Sequence, residues 1–158
     1  MRGKAAPKRN IDPDPKYQNQ VLAKFVNYVM KDGKKSIAQR IVYQALAEIE
    51  QKTSQNPAEL FDTAIKNVMP LVEVRGRRIG GANYQIPIPV RGERKYSLAF
   101  RWILGAARAK KGKPMAEKLA AELLAASNKE GDAMKKKNDV HKMAEANRAF
   151  AHFARFSR

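Results

Sequence analysis

Residues 72–90 read VEVRGRRIGGANYQIPIPV, and the reading of this stretch decides what the rest of the chain must be. Two extended runs, Val72 to Ile79 and Tyr84 to Val90, flank the glycine pair Gly80-Gly81, the pattern of a β-hairpin. The second run alternates Tyr84, Ile86, Ile88 and Val90 with Gln85, Pro87 and Pro89. Proline has no N–H to give to a ladder, so this strand must be an edge. Nothing else in the chain reads as β-structure, and an isolated two-stranded hairpin is marginal in water. It needs a helical body to lean on or a partner to hold it. A three-residue loop at Gly80-Gly81-Ala82 pairs Val72, Val74 and Gly76 with Val90, Ile88 and Ile86, which makes one face apolar. Glu73, Arg75, Arg77, Asn83 and Gln85 then occupy the other. A two-residue turn at Gly81-Ala82 would instead set Arg75 and Arg77 against Ile88 and Ile86, so alternation favours the longer loop. Arg78 and Tyr84 then share the apolar face near the tip, beyond reach of a small body, as in an arm whose far end meets something polar and anionic.

The flanking sequence supplies the body. Upstream, Val21, Leu22, Phe25, Val26 and Val29 recur at helical spacing, and Asp32-Gly33 stops that helix. Ser36 to Gln39 has the form of a capping box opening a second helix, with Ile37, Ile41, Ala45, Leu46 and Ile49 inward. Lys34 and Lys35 are expected in the turn. Asn56-Pro57 starts a third helix, Asn as N-cap and Pro at its first position, and Pro70 ends it. Downstream, residues 92–110 form a fourth helix, apolar around much of its circumference and so expected to be central. Pro114 opens a fifth, and Asp132 caps a sixth running almost to the C-terminus. The expected fold is mainly α: a six-helix bundle with a protruding two-stranded β-hairpin arm between helices three and four. Residues 1–158 make one domain, in which 1–16 is a basic extension, disordered or extended when free, and 72–90 is the arm.

Charge narrows the function. The chain has 158 residues, with 32 Lys and Arg against 15 Asp and Glu, a formal charge of +17 and a pI near 10.3. Such an imbalance draws polyanions, so nucleic acid is the leading partner. A membrane surface is disfavoured because no strongly apolar surface helix accompanies the bases. There is no cysteine, no apolar run of eighteen residues and no apolar core of a secretory signal at the start; a cytoplasmic protein is expected. No catalytic constellation stands out. His141 and His152 are eleven residues apart, about three turns of helix, and make no metal pair. Glu48 with Glu50, and Glu117 with Glu122, read as ordinary helix-surface acids. DGKK at 32–35 and RIGGAN at 78–83 lack phosphate-loop or dinucleotide spacing. No cofactor and no metal are expected.

Basic residues form the stronger signal, because they cluster: Arg2, Lys4, Lys8 and Arg9; Lys34 and Lys35; Arg75, Arg77 and Arg78; Arg91, Arg94 and Lys95; Arg101 and Arg108; Lys110, Lys111 and Lys113. Together they offer phosphate contacts over a curved surface, which a compact folded RNA matches better than a straight duplex. Arg94, Arg101 and Arg108 fall seven apart on one helical stripe. Tyr84 and Tyr96 are candidate stacking partners for unpaired bases, although Tyr96 on an apolar helix reads first as core. On the last helix Arg148, His152 and Arg155 share one stripe and Phe150, Phe153 and Phe156 another.

Three segments, VLAKFVNYVMKDGKKSIAQRIVYQA at 21–45, EVRGRRIGGANYQIPIPVR at 73–91 and GDAMKKKNDVHKMAEANRAFAHF at 131–153, resemble in order the ribosomal protein seven family of the small subunit, bacterial type. The resemblance covers nearly the whole chain. It implies a six-helix body with the hairpin arm between helices three and four, and no enzymatic activity. It implies direct, early binding to the 3′ major domain of small-subunit ribosomal RNA and nucleation of head assembly. The arm and the C-terminal helix would lie near the exit site, close to transfer RNA and messenger RNA, with head and platform ribosomal proteins as neighbours. Ribosomal RNA binding would fall on the N-terminal bases, Lys34, Lys35, the arm-base arginines, Arg91, Arg94, Lys95 and residues 108–113. Transfer RNA proximity would fall on Gly81, Asn83, Tyr84 and the stripe from Arg148 through His152 to Arg155. The residues leave two other readings: an architectural DNA-binding protein whose β-arm enters a minor groove, which would want its prolines at the tip rather than at Pro87 and Pro89, and an RNA-processing enzyme, which lacks a constellation.

Overall fold

The computed structural model describes residue 3, residues 6–7 and residues 9–156. Its elements run α1 (Gln20–Val29), α2 (Lys35–Thr53), α3 (Pro57–Val68), β1 (Val72–Ile79), β2 (Ala82–Pro89), α4 (Glu93–Ala109), α5 (Met115–Ser127), α6 (Asp132–Ala146) and a 3₁₀ helix (Arg148–Phe156). The expected architecture, helices with a two-stranded antiparallel hairpin between the third and fourth, is the one observed. The chain departs from expectation at its last helix. α6 stops at Ala146, Asn147 caps it by donating from its side-chain amide to the Met143 carbonyl, and a tighter helix follows. Arg148 and His152, four apart and so neighbours on an α-helix face, here lie in a 3₁₀ helix with three residues per turn.

Local chemistry explains the starts of α1 and α3. The Asn19 side chain accepts from the N–H groups of Val21 and Leu22, satisfying two of the donors a helix leaves unpaired, and its amide reaches Asp62 on α3. Asn56 accepts from Ala58 N–H, with Pro57 next to it at the first position. The capping box expected at Ser36 is absent. Lys34 is the N-cap of α2 without a side-chain bond, and Lys35 is already helical. The inward face of α2 carries Ala38, Val42, Ala45, Leu46 and Ile49, leaving Ile37 exposed and Ile41 half-buried.

The core is one aromatic and aliphatic cluster. Phe25 sits between Phe61 and Phe100, with ring centroids 5.3 and 5.2 Å away. α4 packs against α1, α3, α5 and α6, as expected of a central helix, and α5 holds an equally central place against α2, α3, α4 and α6.

The hairpin exists where expected, in a different register. Val72 faces Pro89, Arg75 faces Ile86, Arg77 faces Tyr84 and Ile79 faces Ala82, so the turn is the two residues Gly80-Gly81. Both glycines have positive φ, 57° and 89°, which the tight hairpin turns matching strand twist demand and which glycine adopts without strain. One face then carries Glu73, Arg75, Arg77, Tyr84, Ile86 and Ile88, and the other Val72, Val74, Arg78, Asn83, Pro87 and Pro89. The arm is not free-standing: β1 and β2 both rest on α6, and β2 also rests on the 3₁₀ helix.

The basic extension is also more firmly held than its composition suggests. Asp14 is buried, accepts from the N–H groups of Lys16 and Tyr17, and accepts the Tyr43 hydroxyl at 2.8 Å. The Lys16 ammonium lies over the rings of Tyr17 and Tyr43. The expected disordered or extended tail is therefore docked on α2 from Asp14 onward. Of its bases, Arg2, Lys4 and Lys8 lie outside the described residues.

Candidate nucleic-acid interface

At the root of the arm, Glu73 on β1 points its carboxylate into the junction with α4, its side chain only 9% exposed. Arg75 donates from Nε to one carboxylate oxygen at 2.8 Å. Arg94, on the first turn of α4, donates from Nε and a terminal nitrogen to the other, at 3.1 and 3.0 Å. Two arginines from different elements are thus fixed on one buried acid, while their side chains remain 55% and 41% exposed. Sequence reasoning named both arginines and missed the glutamate between them.

The turn after α1 and the end of α4 come together. Lys31, Lys34 and Arg108 line a groove of about 330 Å³ whose floor is Val29, Ala38 and Ile41 and whose rim includes the exposed Ile37. Two clusters that looked separate along the chain, Lys34 and Arg108, therefore share one surface. A second groove, of about 300 Å³, sets Arg9 and Lys24 beside Tyr28 and Tyr96. Tyr96 is 37% exposed there, so the expectation of a core tyrosine gives way to a ring with one open face. Arg9 also borders a groove against α2 with Lys35.

Among the described residues, salt bridges engage Lys24, Lys52, Arg75, Arg94, Lys110 and Arg148. Arg9, Lys34, Lys35, Arg77, Arg78, Arg91, Lys95, Arg101, Arg108, Lys111 and Lys113 form none among the described residues. All of these are exposed except the half-buried Arg77 and Lys95. Lys110 has an internal partner: it donates to Glu122, which is fully buried and whose other oxygen accepts from Ala133 N–H at the start of α6. Glu122 is thus no surface acid. It replaces the cap expected from Asp132, which is itself the first residue of α6.

At the tip, Gly81 and Asn83 are exposed. Tyr84 is not: its ring lies 5.0 Å from Phe150 and 6.1 Å from Phe153, fastening the arm to the 3₁₀ helix. His152 is exposed and its ring lies 4.0 Å from that of Phe153; Arg148 is exposed, and the Arg155 side chain lies outside the described residues. His141 is half-buried behind the arm and accepts the Leu71 N–H on Nε2 at 3.2 Å. Burial, and then the Lys137 ammonium one turn away, lower its pKa below the usual 6.5. Lys137 donates to the Asn67 carbonyl, so α6 clips the end of α3 and the entry to β1 at two points.

Among the described residues no group of His, Asp and Glu is arranged to hold a metal ion, and no helix is long and apolar enough to cross a membrane. The profile of the family described as ribosomal protein S7p/S5e matches residues 1–148. The chain is 60% identical over 153 residues to a protein of Thermosipho africanus named small ribosomal subunit protein uS7, covering 97% of this chain and 99% of that one. Proteins of the same name from Thermotoga maritima, 58% identical over 97% of this chain and 99% of theirs, and from Afipia carboxidovorans, 57% identical over 94% and 96%, are similarly alike.

Proposed function

Because the chain belongs to the ribosomal protein S7p/S5e family, we propose that its exposed bases bind small-subunit ribosomal RNA directly, through phosphates, and that the arm carries this contact outward from the helical body. The protein is a structural, non-enzymatic constituent of the small ribosomal subunit. The observation that best supports the proposal is the division of charge. Glu73, Glu122 and Asp14 are buried and bonded internally, while Arg9, Lys34, Lys35, Arg78, Arg91, Arg101, Arg108, Lys111 and Lys113 face solvent without a salt bridge among the described residues. A rigid basic surface of this kind neutralises many phosphates at once and releases their counterions.

In this reading the RNA is the 3′ major domain of the small-subunit ribosomal RNA, and binding nucleates assembly of the head. Arg75, Arg77, Arg78, Arg91, Arg94 and Lys95 form the contact at the arm, and Arg9, Lys34, Lys35, Arg108, Lys111 and Lys113 the contact on the body. Gly81, Asn83, Arg148 and His152 lie toward the exit-site transfer RNA and the messenger RNA, and neighbouring head and platform proteins complete the surroundings. Competition between a folded 3′ major domain fragment and duplex DNA of equal length, at moderate salt, tests the proposal. The RNA should displace the DNA; preference for the duplex would overturn it in favour of an architectural DNA-binding protein.

A further inference from the structure

We propose that Glu73 is the positioning residue of a two-arginine phosphate clamp, in which Arg75 from the arm and Arg94 from α4 grip one RNA phosphate or two adjacent ones. The inference rests on the reading above that this protein binds RNA. A buried acid beside an RNA surface is, by charge alone, the wrong residue: it cancels one positive charge and repels phosphate. Its geometry supplies the reason for its presence. The two oxygens of the carboxylate take one arginine each, Arg75 at 2.8 Å and Arg94 at 3.1 and 3.0 Å. A guanidinium has five N–H donors in a rigid plane. Holding Nε and one terminal nitrogen on Glu73 fixes that plane and leaves the remaining donors directed away from the carboxylate.

The acid is enclosed and the arginines are not: the Glu73 side chain is 9% exposed, those of Arg75 and Arg94 are 55% and 41% exposed. An anion approaching from solvent therefore meets two oriented guanidiniums in place of two flexible ones. Such preorganisation lowers the ordering cost of binding. It also joins the arm to the body, since Arg75 lies on β1 and Arg94 on α4.

The test is Glu73→Gln, which keeps shape and adds one net positive charge. If charge alone mattered, the variant would bind a 3′ major domain RNA fragment more tightly. The clamp requires weaker binding, by about tenfold or more, comparable to losing one charge-assisted hydrogen bond. Arg94→Lys keeps charge and lacks the planar pair of donors that converge on one Glu73 oxygen; it should show a similar loss, and it decides the matter if Glu73→Gln does not fold. A staple that merely braces the arm would also weaken binding, so a second readout separates the two. Uncharged methylphosphonates are placed one at a time along the RNA. Among the positions at which wild type loses affinity, one site or two adjacent sites should lose that sensitivity in Arg75→Ala, in Arg94→Lys and in Glu73→Gln alike. Equal or tighter binding by Glu73→Gln, or non-adjacent phosphates for the two arginines, would overturn the clamp while leaving RNA binding intact. Absence of salt-dependent RNA binding by wild type would overturn both.

Discussion

Glu122 is fully buried, and three helices depend on it. Its carboxylate receives Lys110 from the end of α4 and the Ala133 N–H of α6, while Gly131 passes so close that a Cβ there would lie 2.9 Å from an oxygen of Glu122. Replacing it with alanine orphans a helix N–H and a partly buried ammonium at once. The expected loss is about 2–4 kcal/mol of unfolding free energy in urea; a loss under about 0.5 kcal/mol would mean that solvent replaces the carboxylate freely. Gly131→Ala should also destabilise, because its φ is 92° and its neighbour cannot retreat. The sequence held a signal for this acid: Glu122 falls on the same stripe as Leu119 and Ala126, where a surface residue does not belong. Its partner Lys110 lies beyond a loop, and no spacing rule connects them. His141 is the second residue whose role comes from distant contact. Its lowered pKa means that the neutral ring is the folded form, accepting Leu71 N–H. The unfolded chain binds the proton more readily, so this contribution is complete above pH 6.5 and is lost as pH falls through the lowered folded value. Exchange of the Leu71 amide, corrected for its intrinsic rate, should be slow at about pH 7.5 and fast at about pH 5. Protection unchanged between the two would show that the ring carries no weight at the arm's root.

The hairpin shows what alternation reveals and where it fails. Its existence, its edge character and its place between α3 and α4 follow from Gly80-Gly81, Pro87 and Pro89. Its register does not, because both faces carry half-buried apolar side chains: Val72, Val74 and Pro87 on one, Tyr84 and Ile88 on the other. When one face alone is buried, alternation chooses the register; here the choice fell to two glycines with positive φ. The helices read more directly, since Asn19, Asn56 and Pro57 act within a few residues of themselves. The break at Asn147 is marked by that asparagine alone, with no Gly or Pro beside it, so helical spacing predicts continuity where a 3₁₀ helix forms. One consequence belongs to the elements themselves. Tyr84 with Phe150 and Phe153 fastens the arm to the 3₁₀ helix, outside the main core cluster. Tyr84→Ala should accelerate hydrogen exchange along β1 and β2 while lowering global stability by under about 1 kcal/mol. Unaltered exchange in the strands would mean that α6 alone supports the arm.

At the scale of the molecule, a charge of +17 is a statement about partners before it is one about folding. The structure resolves how such a chain remains compact. Its few buried acids serve internal roles, and Arg9, Lys34, Lys35, Arg101, Arg108, Lys111 and Lys113 stay at the surface. Composition indicated the polyanion, but the gathering of Lys34 with Arg108, and of Arg9 with Tyr96, depends on contacts between α1, α2 and α4 that no local pattern encodes. The central claim is that these bases hold RNA by its phosphates, and the salt dependence of affinity measures this most directly. With a folded 3′ major domain fragment, log K against log salt should fall with a slope of about −5 to −9, as expected for six to ten phosphate contacts. Replacing Arg75, Arg77 and Arg78 together by alanine should flatten it by about two to three. A wild-type slope near zero, or one that the triple replacement leaves unchanged, would contradict phosphate-mediated binding by this surface.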